Sequence, residues 1–231
     1  MADLDRQTDY WNGDGAAKTF SHPVPLPELR AWLPSGASLL DIGCGYGRVL
    51  AELSGAGFSR AIGVDISQAL VERGRREHPG LDLRHCPDLP LPFPDAGFDA
   101  CLLIAVLTCT ATDAGARALV DEALRLLKPG GLLFVSDYPL QADARNRERY
   151  ARFEAEFGIY GVFRTGGAVC RHFATQRLDA LLAGTTPLWR RCVAVPTMNG
   201  NPASIVQMAV RVGVSGASAA GAPLGNPARI G

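Results

Sequence analysis

The sequence predicts an α/β fold built on a mostly parallel β-sheet with helices on both faces. Three observations carry that expectation. Short apolar runs alternate with helical patterns through the middle of the chain, several of those runs are apolar almost without interruption, and a glycine-rich turn follows the first of them. Continuous apolar strands suit a parallel sheet covered on both faces, and a β-α-β alternation joins parallel strands through right-handed crossovers.

Strands are expected at residues 38–43, 61–65, 81–85, 98–104 and 131–136. Helices are expected at 47–54, 67–77 and 113–128. The last places Leu119, Val120, Ala123, Leu124 and Leu127 on one face and stops at Lys128-Pro129-Gly130-Gly131. Beyond Asp137 the pattern changes. Residues 141–157 read as a charged helix, 158–167 as an irregular, lid-like connection rich in glycine and aromatics, and 175–183 as a further helix. Apolar runs at 189–195 and 205–212 flank Pro196-Thr197-Met198-Asn199-Gly200-Asn201-Pro202, which predicts an antiparallel hairpin. Three units follow: an N-terminal lid or helical segment at 1–37, a main domain at 38–213 with a variable lid region at 140–173, and a flexible tail at 214–231 rich in small residues.

Composition narrows the function. The 231 residues are 47% hydrophobic and 20% charged, which fits a globular chain with a sizeable core. Acidic and basic residues balance at 23 each, so no charge surplus points to nucleic acid or an anionic membrane. No apolar run approaches the ~20 residues of a membrane helix, and the polar N-terminus lacks the pattern of a signal peptide. A cytoplasmic location is expected. The six cysteines form no CxxC pair, so neither a zinc site nor a disulfide framework is expected, and no metal site is read from the sequence.

The chemistry concentrates on Leu39-Leu40-Asp41-Ile42-Gly43-Cys44-Gly45-Tyr46-Gly47. Glycines after an apolar strand let the backbone take positive φ and let a ligand approach the main chain; the first strand-to-helix turn is where open α/β sheets bind nucleotide-like ligands. A pyrophosphate-binding G-x-G-x-x-G would need glycine at position 48 or 50, where Arg48 and Leu50 stand. That argues against NAD and favours S-adenosylmethionine, a sulfonium cofactor without phosphate. Asp65, closing Gly63-Val64-Asp65 about 20 residues on, can accept hydrogen bonds from ribose hydroxyls, or can cap the helix that follows.

With these motifs the chain resembles the class I S-adenosylmethionine-dependent methyltransferases, in particular the small-molecule branch of ubiquinone/menaquinone type. The resemblance runs from about Leu39 to Asp137. It rests on the glycine loop, on Gly63-Val64-Asp65-Ile66-Ser67, on Leu91-Pro92-Phe93-Pro94-Asp95-Ala96-Gly97-Phe98-Asp99, and on Leu126-Leu127-Lys128-Pro129-Gly130-Gly131, in that order. It implies a Rossmann-like seven-stranded sheet with an antiparallel last strand. It also implies cofactor contacts at Asp41, Gly43, Cys44, Gly45, Asp65 and Ile66, at Ile104 and Ala105 near the sulfonium, and at Tyr10 and Trp11 in the N-terminal lid. Asp88 and Leu89 would meet the adenine, although Asp88 is one position out of the family's register.

Methyl transfer from a sulfonium is a displacement that mainly needs alignment and exclusion of water, with a general base only for a reluctant acceptor. The candidates for such a base are His22, Asp137, Tyr138 and His172, with Tyr160 as a further possibility; for each alone, a structural role is the stronger reading. The expected activity is methyl transfer (EC 2.1.1.-) to a small aromatic or hydrophobic molecule, by a monomer or homodimer. The alternatives are a non-catalytic S-adenosylmethionine-binding protein or, further off, an NAD-dependent oxidoreductase. Arg164 and Arg171 could engage an acceptor carboxylate or be ordinary surface charge.

Overall fold

The computed structural model describes residues 4–213; the tail expected to be flexible lies outside the described residues. A seven-stranded sheet forms the centre. Its strands are β1 (Ser38–Ile42), β2 (Arg60–Asp65), β3 (Asp82–His85), β4 (Phe98–Ile104), β5 (Leu127–Asp137), β8 (Thr186–Pro196) and β9 (Pro202–Arg211). They lie in the order β3-β2-β1-β4-β5-β9-β8. All pairings from β3 to β5 are parallel, whereas β9 runs antiparallel to both β5 and β8. The antiparallel strand is therefore inserted one place in from the sheet edge, with β8 outermost.

The near-continuous apolar runs now have their explanation. Neighbouring residues point to opposite faces, so Leu40, Leu103 and Leu133 join one core while Leu39, Leu102 and Leu132 join the other. Helix α5 (Asp113–Leu126) covers the first face through Ala116, Val120 and Ala123, together with Leu178 and Leu181 of α7 (Thr175–Leu181). Helices α2 (Leu26–Trp32) and α3 (Arg48–Gly55) cover the second through Leu29, Val49 and Leu53. Helix α4 (Gln68–Glu77) begins at Ser67, whose hydroxyl accepts from Leu70 N at 3.1 Å.

Two expectations change. The helix beginning at Asp113 ends at Leu126, not 128, because Leu127 turns extended and pairs with Phe98; the Lys-Pro-Gly-Gly stretch enters β5, with a register shift between Phe98 and Ala100. Residues 158–167 are not irregular throughout. After α6 (Ala144–Phe157), β6 (Val162–Thr165) and β7 (Ala168–Arg171) form a separate antiparallel hairpin around Gly166 and Gly167, both with positive φ. Four-residue strands leave too little alternation to be seen in sequence. At the N-terminus, α1 (Thr8–Asn12) and a 3-10 turn, Asp14–Ala17, precede α2.

Gln7 ties this N-terminal segment to the body. Its amide donates to Cys109 O at 3.0 Å and Val169 O at 2.8 Å and accepts from Val169 N at 2.6 Å. Asp5 supports the start of α5 by accepting from Thr112 N at 2.8 Å.

Candidate active site

Two cavities open at the C-terminal ends of the parallel strands, where open α/β sheets present their binding crevice. The larger, about 350 Å³, lies over the loop from β1 to α3. The smaller, about 130 Å³, lies beneath α6, the β6–β7 hairpin and the turn between β8 and β9. They share Trp11, Phe20, His22, Ala105 and Cys109 as walls, so the two chambers adjoin along a common boundary, the waist.

In the glycine loop, Gly43 and Gly45 have φ of 76° and 56°, a region L-residues seldom occupy. Space is equally restrictive. A Cβ at Gly43 would lie 2.4 Å from Val106, and one at Gly45 would lie 2.7 Å from the Phe20 ring. The loop is thus held between the end of β4 and the N-terminal segment. Phe20 also stacks on Tyr46, with ring centres 5.4 Å apart.

Two buried acids face the larger chamber. Asp65 accepts from Gly45 N at 2.7 Å through one oxygen and from Ser67 N at 2.8 Å through the other. It braces the glycine loop, while Ser67, not Asp65, caps α4. Each oxygen keeps a lone pair for a ligand hydroxyl. Asp41 is buried, and its Oδ2 has no hydrogen-bond partner. Burial pushes its carboxyl up to about 7, against the pull of the Arg48 charge; Asp65 adds to the rise. An unpartnered buried acceptor lining a cleft is poised for a ligand donor or cation.

Of the residues expected around the cofactor, Trp11, Asp41, Gly43, Cys44, Gly45, Asp65, Ile66, Asp88, Leu89, Ile104 and Ala105 line this chamber. Tyr10 does not. Successive residues of a helix point about 100° apart; Trp11 faces the cavities, while Tyr10 packs on Gly15 and Gly167. Asp88 stands at the rim in an ion pair with Arg6 at 2.7 Å. Ala105 takes φ 56° at the end of β4, an uncommon conformation for a residue with a Cβ, at the waist itself.

The candidate bases separate clearly. Asp137 lines neither cavity. It is fully buried and accepts from Thr108 N at 3.1 Å and Tyr138 N at 2.8 Å, clamping the 3-10 turn Leu107–Cys109. The alternation along β5 puts it on the opposite side from Ser136 and Tyr138. Burial pushes its pKa up to about 7 despite these N–H groups, but no acceptor can reach it.

His172 and Tyr138 line the smaller chamber, stacked with ring centres 5.0 Å apart. Tyr150 Oη accepts from Gln141 N at 3.1 Å and lies 2.6 Å from His172 Nδ1. One proton is shared along this contact, and the His172 tautomer sets which group donates it. Burial lowers His172 to about 3, as it lowers His22, so the ring is neutral near neutral pH. Burial likewise pushes the Tyr138 phenol well up. Tyr160 is exposed, packs edge-on to Tyr150 and lines neither cavity.

His22 alone among these candidates lines both chambers. Its Nδ1 is 3.3 Å from Ser136 Oγ, and its Nε2 is buried without a partner. Burial, and then the Arg48 charge, lower it to about 4.

Several lining residues went unread in the sequence. Phe20 stood beside His22 in the expected lid without a role. Arg145, Asn146 and Arg149 lay inside a helix read only as charged, and Thr197, Asn199 and Asn201 in the expected hairpin turn. One signal was present: Arg149 has no acid three or four residues away on either side. Arg164 and Arg171, weighed as carboxylate partners, lie outside both cavities. They pair instead with Glu156 and Asp113, each at 2.6 Å.

Residues 40–135 match the family model described as methyltransferase domain. The chain is 32% identical over 136 residues to tRNA (carboxymethyluridine(34)-5-O)-methyltransferase alkbh8 of Xenopus tropicalis, covering 56% of this chain and 20% of that protein. It is 28% identical over 157 residues to 27-O-demethylrifamycin SV methyltransferase of Amycolatopsis mediterranei, covering 64% and 57%. It spans less than two thirds of either. A solved structure of an S-adenosylmethionine-dependent methyltransferase from Methanosarcina mazei superposes with a TM-score of 0.74 at 23% identity, covering 82% of this chain and 98% of the other. The fold is shared; neither curated relative's acceptor transfers with it.

Proposed function

We propose that the chain is a class I S-adenosylmethionine-dependent methyltransferase, a reading supported by the match of residues 40–135 to the methyltransferase-domain model, and that it methylates a small molecule held in the smaller chamber. The observation that carries the proposal is the adjoining pair of cavities. One is built on the glycine loop and two acids, the other is walled by aromatic and polar side chains, and they meet at Ala105, Cys109 and His22.

The larger chamber suits the cofactor on its own chemistry. Asp41 offers an unpartnered carboxylate oxygen to a cationic amino group, Asp65 offers lone pairs to ribose hydroxyls, and the loop glycines allow close approach to the main chain. Bound there, S-adenosylmethionine supplies an electrophilic methyl group. The protein's contribution is alignment. The waist directs an acceptor at that methyl, and Trp11 and Phe20 exclude water from above.

For an acceptor that loses a proton, His22 Nε2 is the group to receive it, with the ring's other proton donated from Nδ1 to Ser136 Oγ. Its lowered pKa keeps it neutral until the pH falls through about 4.

Calorimetric titration with S-adenosylhomocysteine, followed by transfer of labelled methyl from S-adenosylmethionine into the small-molecule fraction of a cell extract, tests this reading. No binding of S-adenosylhomocysteine would sink it. His22→Gln should lower kcat by about a hundredfold or more while changing S-adenosylhomocysteine affinity by less than about threefold; unchanged kcat removes His22 from the chemistry. The Xenopus relative named for tRNA favours a second reading, in which the label enters tRNA instead. Label confined to the tRNA fraction selects it.

A further inference from the structure

Helix α6 presents two arginines, Arg145 and Arg149, one turn apart, and both line the smaller chamber. Like charges at that spacing repel one another along a helix; Arg145 is exposed and Arg149 half-buried. Arg145 reaches Asp143 only at 3.9 Å. Arg149 has no carboxylate within ion-pair distance among the described residues, whereas Arg48, Arg125 and Arg171 each have one.

The geometry around Arg149 holds it ready. Its guanidinium carbon lies 3.5 Å from the centre of the Phe163 ring, so the cation rests over the ring face. Its Nε is buried without a partner. No Asp or Glu lines the chamber. Beside it, the Asn146 amide nitrogen donates to Asp143, which turns Oδ1 away; that oxygen is buried and also without a partner. An excess of cationic donors facing a chamber free of carboxylates is an incomplete electrostatic arrangement. The missing component is an anion.

We propose that the methyl acceptor carries an anionic group, a carboxylate or a phosphate, which docks on Arg149 with Arg145 beside it; this rests on reading the smaller chamber as the acceptor site. A planar guanidinium receives either oxyanion through two parallel N–H···O bonds. The acceptor is then held by its acidic end at α6, and its nucleophile points to the waist at Ala105 and His22. Arg149 acts as a binding and positioning residue, not as part of the displacement.

The test uses the full chain saturated with S-adenosylhomocysteine and three probes of similar size: benzoate, phenyl phosphate and neutral benzamide. Calorimetry should show at least one anion binding about tenfold or more tightly than benzamide, and the stronger of the two identifies the group. Arg149→Met keeps the apolar stacking on Phe163 and should abolish that preference, while Arg149→Lys should retain part of it. Arg164→Met, whose arginine pairs with Glu156 outside the chamber, should leave it unchanged. Equal binding of all three probes by the wild type, or an anion preference that survives Arg149→Met, overturns the proposal. If Arg149→Met does not fold, the wild-type comparison and the lysine variant still decide it. Failure to bind S-adenosylhomocysteine would sink the underlying reading instead, and is seen separately in the first titration.

Discussion

Cofactor affinity should depend on pH through Asp41. Its carboxyl is raised to about 7 by burial, and Oδ2 lines the larger chamber with no protein partner. If the α-ammonium of the cofactor supplies that partner, the binding-competent form is the ionised one. With a pKa near 7, about three quarters of the carboxyl is ionised at about pH 7.5 and about one eleventh at about pH 6. This weakens binding roughly eightfold. The ligand ammonium belongs to a free amino acid, whose own carboxylate keeps it protonated across this interval, so it offsets little of the loss. The net expectation is that the Kd for S-adenosylhomocysteine rises about eightfold from about pH 7.5 to about pH 6, or about 1.2 kcal/mol. Calorimetry at several pH values reads this directly. Asp41→Asn should bind weakly throughout and lose most of the slope; any remainder reports Asp65, which burial also raises. A flat wild-type profile, or a variant as steep as the wild type, refutes the pairing of Asp41 with the ammonium.

Other perturbations separate structural from chemical roles. Asp137→Asn places an amide N–H against backbone N–H groups in a fully buried site; it should cost about 2 kcal/mol and lower Tm by about 4–8 °C. An unchanged Tm with a large loss of kcat would instead restore Asp137 as a base. Gly45→Ala combines φ 56° with a Cβ 2.7 Å from Phe20, so a destabilisation of about 1–2 kcal/mol and weaker S-adenosylhomocysteine binding are expected by thermal melts and calorimetry. Gln7→Ala removes the three bonds that tie the N-terminal segment to Cys109 and Val169. Stopped-flow displacement should show S-adenosylhomocysteine leaving several-fold faster, and an unchanged rate would mean that the segment does not gate the chamber.

What the sequence by itself determined is local or periodic. Alternating apolar runs imply parallel strands because a covered strand has no polar face, and Leu39 with Leu40 reports both cores at once. Glycines at 43, 45 and 47 imply positive φ, and the structure gives all three positive φ values. The order of strand, loop and acid indicated a nucleotide-like cofactor for the same reason. The tertiary structure decided matters that depend on which distant groups meet. Asp137 and Ser136 are neighbours in sequence, yet the pleat sends one into a backbone clamp and the other to His22. Arg164 and Arg171 find carboxylates across the fold, whereas Arg149 finds Phe163 and a cavity. The hairpin of β6 and β7 was hidden because four-residue strands carry almost no periodic signal and depend on their pairing. A charge's role is set by the groups that packing brings beside it, and that partner list does not exist until the chain has folded.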